Sequence, residues 1–137
     1  MDDCIFCKIV RGEIPCYKVY EDDDVLAFLD ISQTTLGHTL VISKKHYPNL
    51  LYVPKDILSK VFGAAQRIAQ AQVTSLNAKG VNLINNTNDV AGQSVMHFHV
   101  HVIPRYSDDD NLKLEFKSNK LEHISLPAIA EEISKKI

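Results

Sequence analysis

The sequence lacks the features that mark several large classes of protein. It has no continuous run of about 18 apolar residues, so we expect no membrane-spanning helix. Its formal net charge is -2, without the excess of positive charge that a nucleic-acid partner favours. The N-terminal residues show no basic segment followed by a long apolar stretch, so we expect no secretory signal. We therefore expect a cytoplasmic protein that binds neither membranes nor nucleic acid.

Cysteine is scarce, and its placement is informative. There are three cysteines, and an odd number in a cytoplasmic chain argues against a disulfide framework. Cys4 and Cys7 have the spacing at which two thiolates hold one metal ion, but the further ligands of a zinc finger do not follow within about 20 residues. Three interpretations of Cys4 and Cys7 remain: a metal site with distant ligands, a redox pair, or buried thiols. The lack of a βαβ context disfavours the redox pair, and we expect Cys16 to be a small apolar filler.

The hydrophobic pattern predicts one domain, residues 1–137, of the α+β class. Residues 55–77 carry apolar side chains at three- and four-residue spacing, which predicts one long amphipathic helix. Shorter helical segments are predicted at residues 5–14 and 124–137. Strands are predicted at residues 18–21, 25–29, 39–42, 81–85 and 95–104. Short links between most strands favour an antiparallel sheet of about five strands, with one long and one or two short helices.

Three histidines fall within five residues of the last predicted strand. Alternate side chains of a strand share a face, so His97, His99 and His101 point one way. The apolar side chains between them point the other way, toward a core. Because histidine is rare, a chance cluster on a solvated face is a weak explanation. A zinc site that uses two or three of these histidines is the stronger rival, since alternate histidines of a strand can chelate zinc.

The loop before this strand favours anion chemistry over a hydrolytic metal site. Residues 85–94 are dense in amides and hydroxyls and include a glycine, so they can present several donors to an anion. Phosphoryl transfer requires such fixed donors around the equatorial oxygens. A hydrolytic metal site usually needs carboxylates nearby. Between Gly80 and Lys113 the only carboxylates are Asp89 and those of residues 108–110.

The run from His97 to Val102 resembles the His-φ-His-φ-His-φ signature, with φ apolar, of the histidine-triad family of nucleotide hydrolases and transferases. The resemblance extends over residues 4 to 106 and includes the segments 28–31, 37–42 and 91–94. It implies a purine-nucleotide substrate, attack at the α-phosphorus and a covalent nucleotidyl–histidine intermediate that water hydrolyses. The implied substrates are nucleoside phosphoramidates, aminoacyl-adenylate-like compounds or dinucleoside polyphosphates. The tail, residues 107–137, has no counterpart that we can interpret.

The resemblance also assigns a role to each matched residue. His99 matches the nucleophile, whose second ring nitrogen donates to the backbone carbonyl of His97, and His101 matches the histidine that contacts phosphate. The polar loop that holds the phosphate or leaving group is matched by Asn86, Gln93 and Ser94. Asp30 matches the ribose-binding position, and His38 borders the site. The apolar walls of the base pocket are matched by Ile5, Phe6, Ile9, Phe28 and Ile31, although core packing explains Ile9 and Phe28 equally well.

The zinc-bearing branch of this family implies one structural Zn2+ per chain. Its ligand set corresponds to Cys4, Cys7, His46 and His97, a closed site of two thiolates and two imidazoles. Ser43 and Thr87 depart from the family pattern, which commonly has proline and glycine at those positions. The family also implies a homodimer with the long helix and a central strand at its interface. Two other functions stay open: a metallohydrolase with zinc on the triad, and a non-catalytic nucleotide-binding regulatory module.

Overall fold

A computed structural model describes residues 3–137 of the chain. Its helices are α1 (Ile5–Val10), α2 (Lys55–Leu76) and α3 (Leu126–Ser134), and its strands are β1 (Lys18–Glu21), β2 (Val25–Leu29), β3 (Thr39–Ser43), β4 (Gly80–Ile84) and β5 (His99–Arg105). The strands form one sheet in the order β1-β2-β3-β5-β4, and every neighbouring pair is antiparallel. The predicted α+β class and five-stranded antiparallel sheet are confirmed.

One face of the sheet is covered by α2. The helix buries Val61, Ala65 and Ile68 against alternate side chains of the central strands, including Val41 and Val100. This is the apolar stripe that the sequence periodicity predicts. The helix ends at Leu76 because Asn77 adopts a left-handed conformation with φ 61, a common way to end a helix. Packing of α2 behind β5 fixes the strand that carries the histidines.

The opposite face of the sheet is covered in part by α1. Phe6 of this helix packs with a second cluster of buried side chains that come from β2 and β3: Leu26, Phe28, Leu40 and Ile42. The ring of Phe6 meets the ring of Phe28 edge-on, with centroids 5.7 Å apart. Helix α1 ends before the predicted residue 14, because Gly12 takes φ +78 in the turn that follows. The functional residues lie on this second face.

The last strand begins later than the predicted residue 95. Strand β5 starts at His99, which pairs with Ile42 of β3, and residues 95–97 form bends. The backbone N–H of Phe98 donates to the carbonyl of Tyr47 at 2.7 Å instead of joining the sheet. His97 therefore stands outside the hydrogen-bonded ladder. Its ring still lies beside Phe6, with centroids 5.8 Å apart, on the face that His99 shares.

The C-terminal part of the chain has no strand and little burial. After Asp110 most side chains are exposed. Helix α3 is shorter than the predicted segment 124–137, because the side chain of Ser125 caps its first turn and the helix stops at Ser134. Within residues 3–137, none of the helices combines the length and the hydropathy that crossing a membrane would need.

Candidate active site

His99 is presented by β5 with its two ring nitrogens in different environments. Its Nδ1 lies 2.7 Å from the carbonyl oxygen of His97. A carbonyl only accepts, so Nδ1 carries the hydrogen and Nε2 keeps its lone pair. Phe6 packs edge-on against the ring, with centroids 5.1 Å apart, and the side chain is 5% exposed. Burial lowers the pKa of His99, which keeps the imidazole neutral and nucleophilic at neutral pH.

His101 lies two residues farther along the same face of β5. Its ring is adjacent to that of His99, with centroids 5.2 Å apart. Burial, together with the neighbouring His99 and His38, lowers the pKa of His101 to about 4. Its Nδ1 lies 2.9 Å from Nε2 of His38, and that Nε2 lies 3.7 Å from Oδ2 of Asp30. A chain of polar groups therefore runs from Asp30 through His38 to His101.

A cavity of about 390 Å³ opens beside these histidines. His99 and His101 line it, together with Asp30 and Ser94. All five residues expected as base-pocket walls are there as well: Ile5, Phe6, Ile9, Phe28 and Ile31. Ile31 is 89% exposed and forms part of the rim. The expected pocket residues are thus brought together next to the expected nucleophile, in a space large enough for a small-molecule ligand.

Other residues line the cavity that the sequence does not point to. They are Ile14, Pro15, Cys16, Tyr17, Leu29, Ser32, Leu40 and Val95. Cys16 is half-buried beside the Phe6 cluster, which agrees with its expected packing role and adds a position on the cavity wall. No sequence motif identifies these residues, because they come from the turn after α1, from β2 and the segment after it, from β3 and from the bend before β5.

Two of the residues that the resemblance assigns to the polar loop, Gln93 and Asn86, do not line this cavity. Gln93 is buried, and its amide nitrogen donates to the carbonyls of Pro48 and Val95 at 2.7 and 3.0 Å. Its oxygen accepts from the N–H of Asn88. Both of its N–H groups are therefore engaged in shaping the loop. Asn86 donates to the carbonyl of Gly92 at 3.5 Å and does not line the cavity, whereas Ser94 does.

Asn85 is a site residue that sequence reasoning missed. Its side-chain nitrogen donates to the carbonyl oxygen of His99 at 2.9 Å. Strand β4 pairs with β5 only as far as Ile84 and His101, so no strand backbone reaches the His99 carbonyl from this side. The amide at position 85 supplies that bond. The position directly after a strand, opposite the histidine run, is the sequence signal that could have found it.

A second cluster of side chains surrounds His97. Nδ1 of His97 is 3.3 Å from Sγ of Cys4, 3.6 Å from Sγ of Cys7 and 3.2 Å from Nδ1 of His46. Sγ of Cys7 is 3.4 Å from Nδ1 of His46. A zinc tetrahedron with ordinary Zn–S and Zn–N bonds has edges of about 3.3 to 3.8 Å. The four predicted ligands thus converge within 4.8 Å of one another, and the distances given lie close to those around one zinc ion.

The hydrogen bonds of His97 prepare its ring for a metal. Nε2 of this fully buried residue lies 2.6 Å from the carbonyl oxygen of Ser43, so Nε2 carries the hydrogen. Nδ1 then presents its lone pair to the two sulfur atoms and to His46. Burial lowers the pKa of His97 to about 4, which keeps that lone pair free at neutral pH. These donors fit Zn2+.

Fold and site together define a class of protein. A central antiparallel strand presents alternate histidines to an apolar cavity, with a carboxylate at its edge and a metal-type cluster behind it. The family model described as the HIT domain matches residues 11–108. The chain belongs to the HIT family, and the family expected from the histidine run is confirmed.

Relatives and solved structures agree with this membership. The chain is 48% identical to Protein hit of Bacillus subtilis over 118 residues, 86% of this chain and 81% of that protein. It is 35% identical to adenosine 5'-monophosphoramidase hnt1 of Schizosaccharomyces pombe over 134 residues, 98% of each chain. It is similar to the crystal structure of a HIT family protein from Bacillus anthracis, with TM-score 0.94, 47% identity and coverage of 99% and 98%. A Zn-bound histidine triad family protein from Mycobacterium smegmatis matches with TM-score 0.76, 36% identity and 99% coverage of both chains.

Proposed function

We propose that this protein is a hydrolase that acts at the α-phosphorus of purine-nucleotide conjugates through a nucleotidyl–His99 intermediate. The observation that carries the proposal is the hydrogen bond from His99 Nδ1 to the His97 carbonyl. It leaves Nε2 as the nucleophile beside the cavity. In this arrangement the His97 carbonyl is a fixed group that orients the ring of His99 for nucleophilic attack.

The reaction proceeds in two displacements. In the first, Nε2 of His99 bonds to phosphorus, the bond from phosphorus to the leaving group breaks, and the leaving atom takes up one proton from solvent, which the water of the second step returns. The hydrogen stays on Nδ1 and continues to donate to the His97 carbonyl oxygen, which stabilises the positive charge of the phosphorylated ring. In the second, a water oxygen bonds to phosphorus, the Nε2–P bond breaks, and the water gives up one proton. The products are a nucleoside monophosphate and the free leaving group.

The cavity supports a purine nucleoside as the part that is recognised. Phe6, Phe28, Ile5 and Ile9 offer flat and branched apolar surfaces to a base, and Asp30 offers carboxylate oxygens to ribose hydroxyls. Nucleoside phosphoramidates are the first candidates, because an S. pombe relative is named adenosine 5'-monophosphoramidase. Aminoacyl-adenylate-like compounds and dinucleoside polyphosphates carry the same nucleotidyl group and are the next candidates.

Zinc has a structural role in this proposal. Cys4, Cys7, His46 and His97 supply all four ligands, so no position is left for substrate or water. A zinc ion bound there ties α1 to the segment before β5 and makes the His97 backbone a rigid support for His99. If zinc on the triad were the catalyst instead, a chelator would stop turnover at once. A structural zinc predicts that the chelator mainly lowers the stability of the fold.

The proposal includes three further properties that the family resemblance and the composition suggest. These are a homodimer with α2 at its interface, one domain spanning residues 1–137 and a cytoplasmic location. Sedimentation of the full chain over a range of concentrations tests the dimer. A single monomer boundary throughout would contradict it.

The deciding experiment follows turnover of adenosine 5'-phosphoramidate by the wild type and by His99→Ala. The wild type is expected to release AMP and, after rapid acid quenching, to carry one nucleotidyl group on His99. His99→Ala should lose turnover by about 10⁴-fold or more, whereas His123→Ala, which removes an exposed histidine of the tail, should not. Turnover that survives in His99→Ala would overturn the mechanism. A wild type that binds AMP without turnover would favour the non-catalytic module.

A further inference from the structure

Three side chains outside the cysteine cluster bring metal-binding atoms together beside the cavity. Nε2 of His38 lies 2.9 Å from Nδ1 of His101 and 3.7 Å from Oδ2 of Asp30, and the ligand atoms of all three lie within 4.8 Å of one another. Burial lowers the pKa of His38, and it lowers the pKa of His101 to about 4. Both rings are therefore neutral at pH 7, so each has one nitrogen with a lone pair.

The cavity beside this group carries negative charge. Asp30 is the only aspartate, glutamate, lysine or arginine among the described residues that line it. Most of its other walls are apolar, and such surroundings strengthen the attraction between a carboxylate and a cation. The electrostatics of the cavity therefore favour a cation next to Asp30.

The backbone of Ser32 holds two of the three side chains. Its N–H donates to Oδ1 of Asp30 at 2.8 Å, which leaves Oδ2 as the oxygen that faces His38. The Ser32 backbone also accepts from the ring of His38, a contact that opposes the effect of burial on the pKa of that ring. The contact is weak, since Nδ1 has no hydrogen bond of ordinary geometry within residues 3–137. A ring that binds a cation through Nε2 carries its hydrogen on Nδ1, where the Ser32 backbone is the acceptor.

The distances between the ligand atoms suit a divalent metal ion. With metal–ligand bonds of about 2.1 Å, two ligand atoms lie about 3.0 Å apart at a right angle and about 3.4 Å apart at the tetrahedral angle. The 2.9 Å between His38 and His101 matches the first value, and the 3.7 Å between His38 and Asp30 is close to the second. A small shift of the Asp30 carboxylate would complete the geometry. Two imidazoles and one carboxylate bind Zn2+ in other proteins and leave a position open.

We propose that Asp30, His38 and His101 form a second site for a divalent cation such as Zn2+, and that a cation bound there excludes the nucleotide from the cavity. The effect on turnover rests on the proposed function, in which Asp30 binds ribose hydroxyls and His101 contacts phosphate. A cation that takes both side chains leaves neither free for the substrate. With three protein ligands instead of four, this site binds zinc less tightly than the cysteine cluster does.

A hydrogen bond between the two rings is the competing explanation for their short contact. One hydrogen between Nε2 of His38 and Nδ1 of His101 satisfies both atoms without a metal. The two explanations differ in their response to Zn2+ beyond the first equivalent. If the site binds the metal, the 15N shifts of these two nitrogens change together, and otherwise they stay the same.

Equilibrium dialysis of the zinc-loaded full chain at pH 7 measures the second site directly. At a fixed free concentration of Zn2+, the wild type should take up a second zinc per chain, and AMP in the buffer should displace it. His38→Gln should weaken this second binding by about 10- to 100-fold or more, because even groups that only orient metal ligands contribute that much to affinity. His123→Gln removes an exposed histidine and Cys16→Ser removes a thiol of the cavity wall, and both should keep the second zinc.

The same Zn2+ should inhibit turnover of adenosine 5'-phosphoramidate. At about ten times the dissociation constant of the second site, the apparent KM should rise about tenfold with kcat unchanged, and chelation of the excess zinc should reverse the effect. The activity that His38→Gln retains should need correspondingly more Zn2+ for the same inhibition. Faster turnover with excess Zn2+, or a second zinc that AMP does not displace, would overturn the exclusion of the nucleotide. A wild type that binds no second zinc would overturn the site, whether or not His38→Gln folds.

The two proposals fail in different ways. If the wild type does not turn over the phosphoramidate, the proposed function fails, but dialysis still decides whether Zn2+ and AMP compete. If turnover through His99 is confirmed and zinc beyond the first equivalent neither binds nor inhibits, only the second metal site is wrong.

Discussion

The side-chain amide of Asn85 donates to the carbonyl oxygen of His99 at 2.9 Å. The bond completes the backbone of β5 at the residue where pairing with β4 has ended. Nucleophilic attack depends on the position of the His99 ring, and the backbone at His99 is held by β3 on one side and by this amide on the other. The polar loop that begins at Asn85 is thus joined directly to the backbone of His99.

Replacing this amide should misplace the nucleophile. Asn85→Asp keeps the size of the side chain but sets an oxygen against the His99 carbonyl. We expect kcat/KM for adenosine 5'-phosphoramidate to fall about 10- to 100-fold and the free energy of unfolding to fall by about 1–3 kcal/mol. Asn86→Asp changes a side chain with one long hydrogen bond and should cost less. A larger loss at residue 86 would favour the sequence-based assignment of Asn86 to the loop that holds the phosphate or leaving group.

Loss of either thiolate should release the metal. Protein purified without added metal should contain about one zinc per chain. Cys4→Ser and Cys7→Ser should contain far less and should melt at a lower Tm, because binding free energy at a structural site contributes to folding. Cys16→Ser is the matched control, since Cys16 lies on the cavity wall outside the cluster. Elemental analysis that finds no metal in the wild type would rule out the zinc proposal.

The sequence predicts the sheet, the long helix and the histidine face because those depend on local periodicity. It does not predict that β5 starts at His99. The backbone N–H of Phe98 donates to the carbonyl of Tyr47 instead of joining the sheet, and Tyr47 lies far earlier in the chain. The sequence also does not predict that the side-chain amide of Gln93 donates to the carbonyl of Pro48. Such partners are brought together only by the complete fold.

Part of the candidate site can likewise be predicted from the sequence, and part of it cannot. The ligands Cys4, Cys7, His46 and His97 are found by resemblance to a family, and no spacing rule joins such distant positions. The contact of Asn85 with the His99 carbonyl is not found from the sequence, because a polar loop has no periodicity that fixes which amide faces inward. His38 can be placed near the site from its motif. Its contact with the ring of His101 is one that only the complete fold creates.

The same substitution at two glycines should change stability in opposite directions. Gly37 has φ +104, and a Cβ there would lie 2.6 Å from Cδ1 of Leu76 and 3.3 Å from Cγ of Pro104. We expect Gly37→Ala to lower the free energy of unfolding by about 1–3 kcal/mol. Gly63 lies inside α2, where an added Cβ would meet nothing within 4 Å, so Gly63→Ala should raise it by about 0.5–1 kcal/mol. Urea unfolding measures both, and a Gly37→Ala variant at least as stable as the wild type would contradict the assignment of strain to Gly37.

Acid should destabilise the protein partly through His101. Its pKa is near the usual 6.5 in the unfolded chain and about 4 in the fold. Between these values the unfolded chain binds more protons, so the contribution to stability is complete above about pH 6.5 and is lost as the pH falls toward 4. From pH 7 to pH 5 this amounts to about 1–2 kcal/mol.

His101→Gln isolates this contribution, because glutamine does not titrate and the other buried histidines are unchanged. The free energy of unfolding of zinc-loaded wild type should therefore fall more steeply between pH 7 and pH 5 than that of His101→Gln. His123→Gln should keep the wild-type slope, since His123 is exposed. Equal slopes for wild type and His101→Gln would mean that His101 is not held neutral by burial.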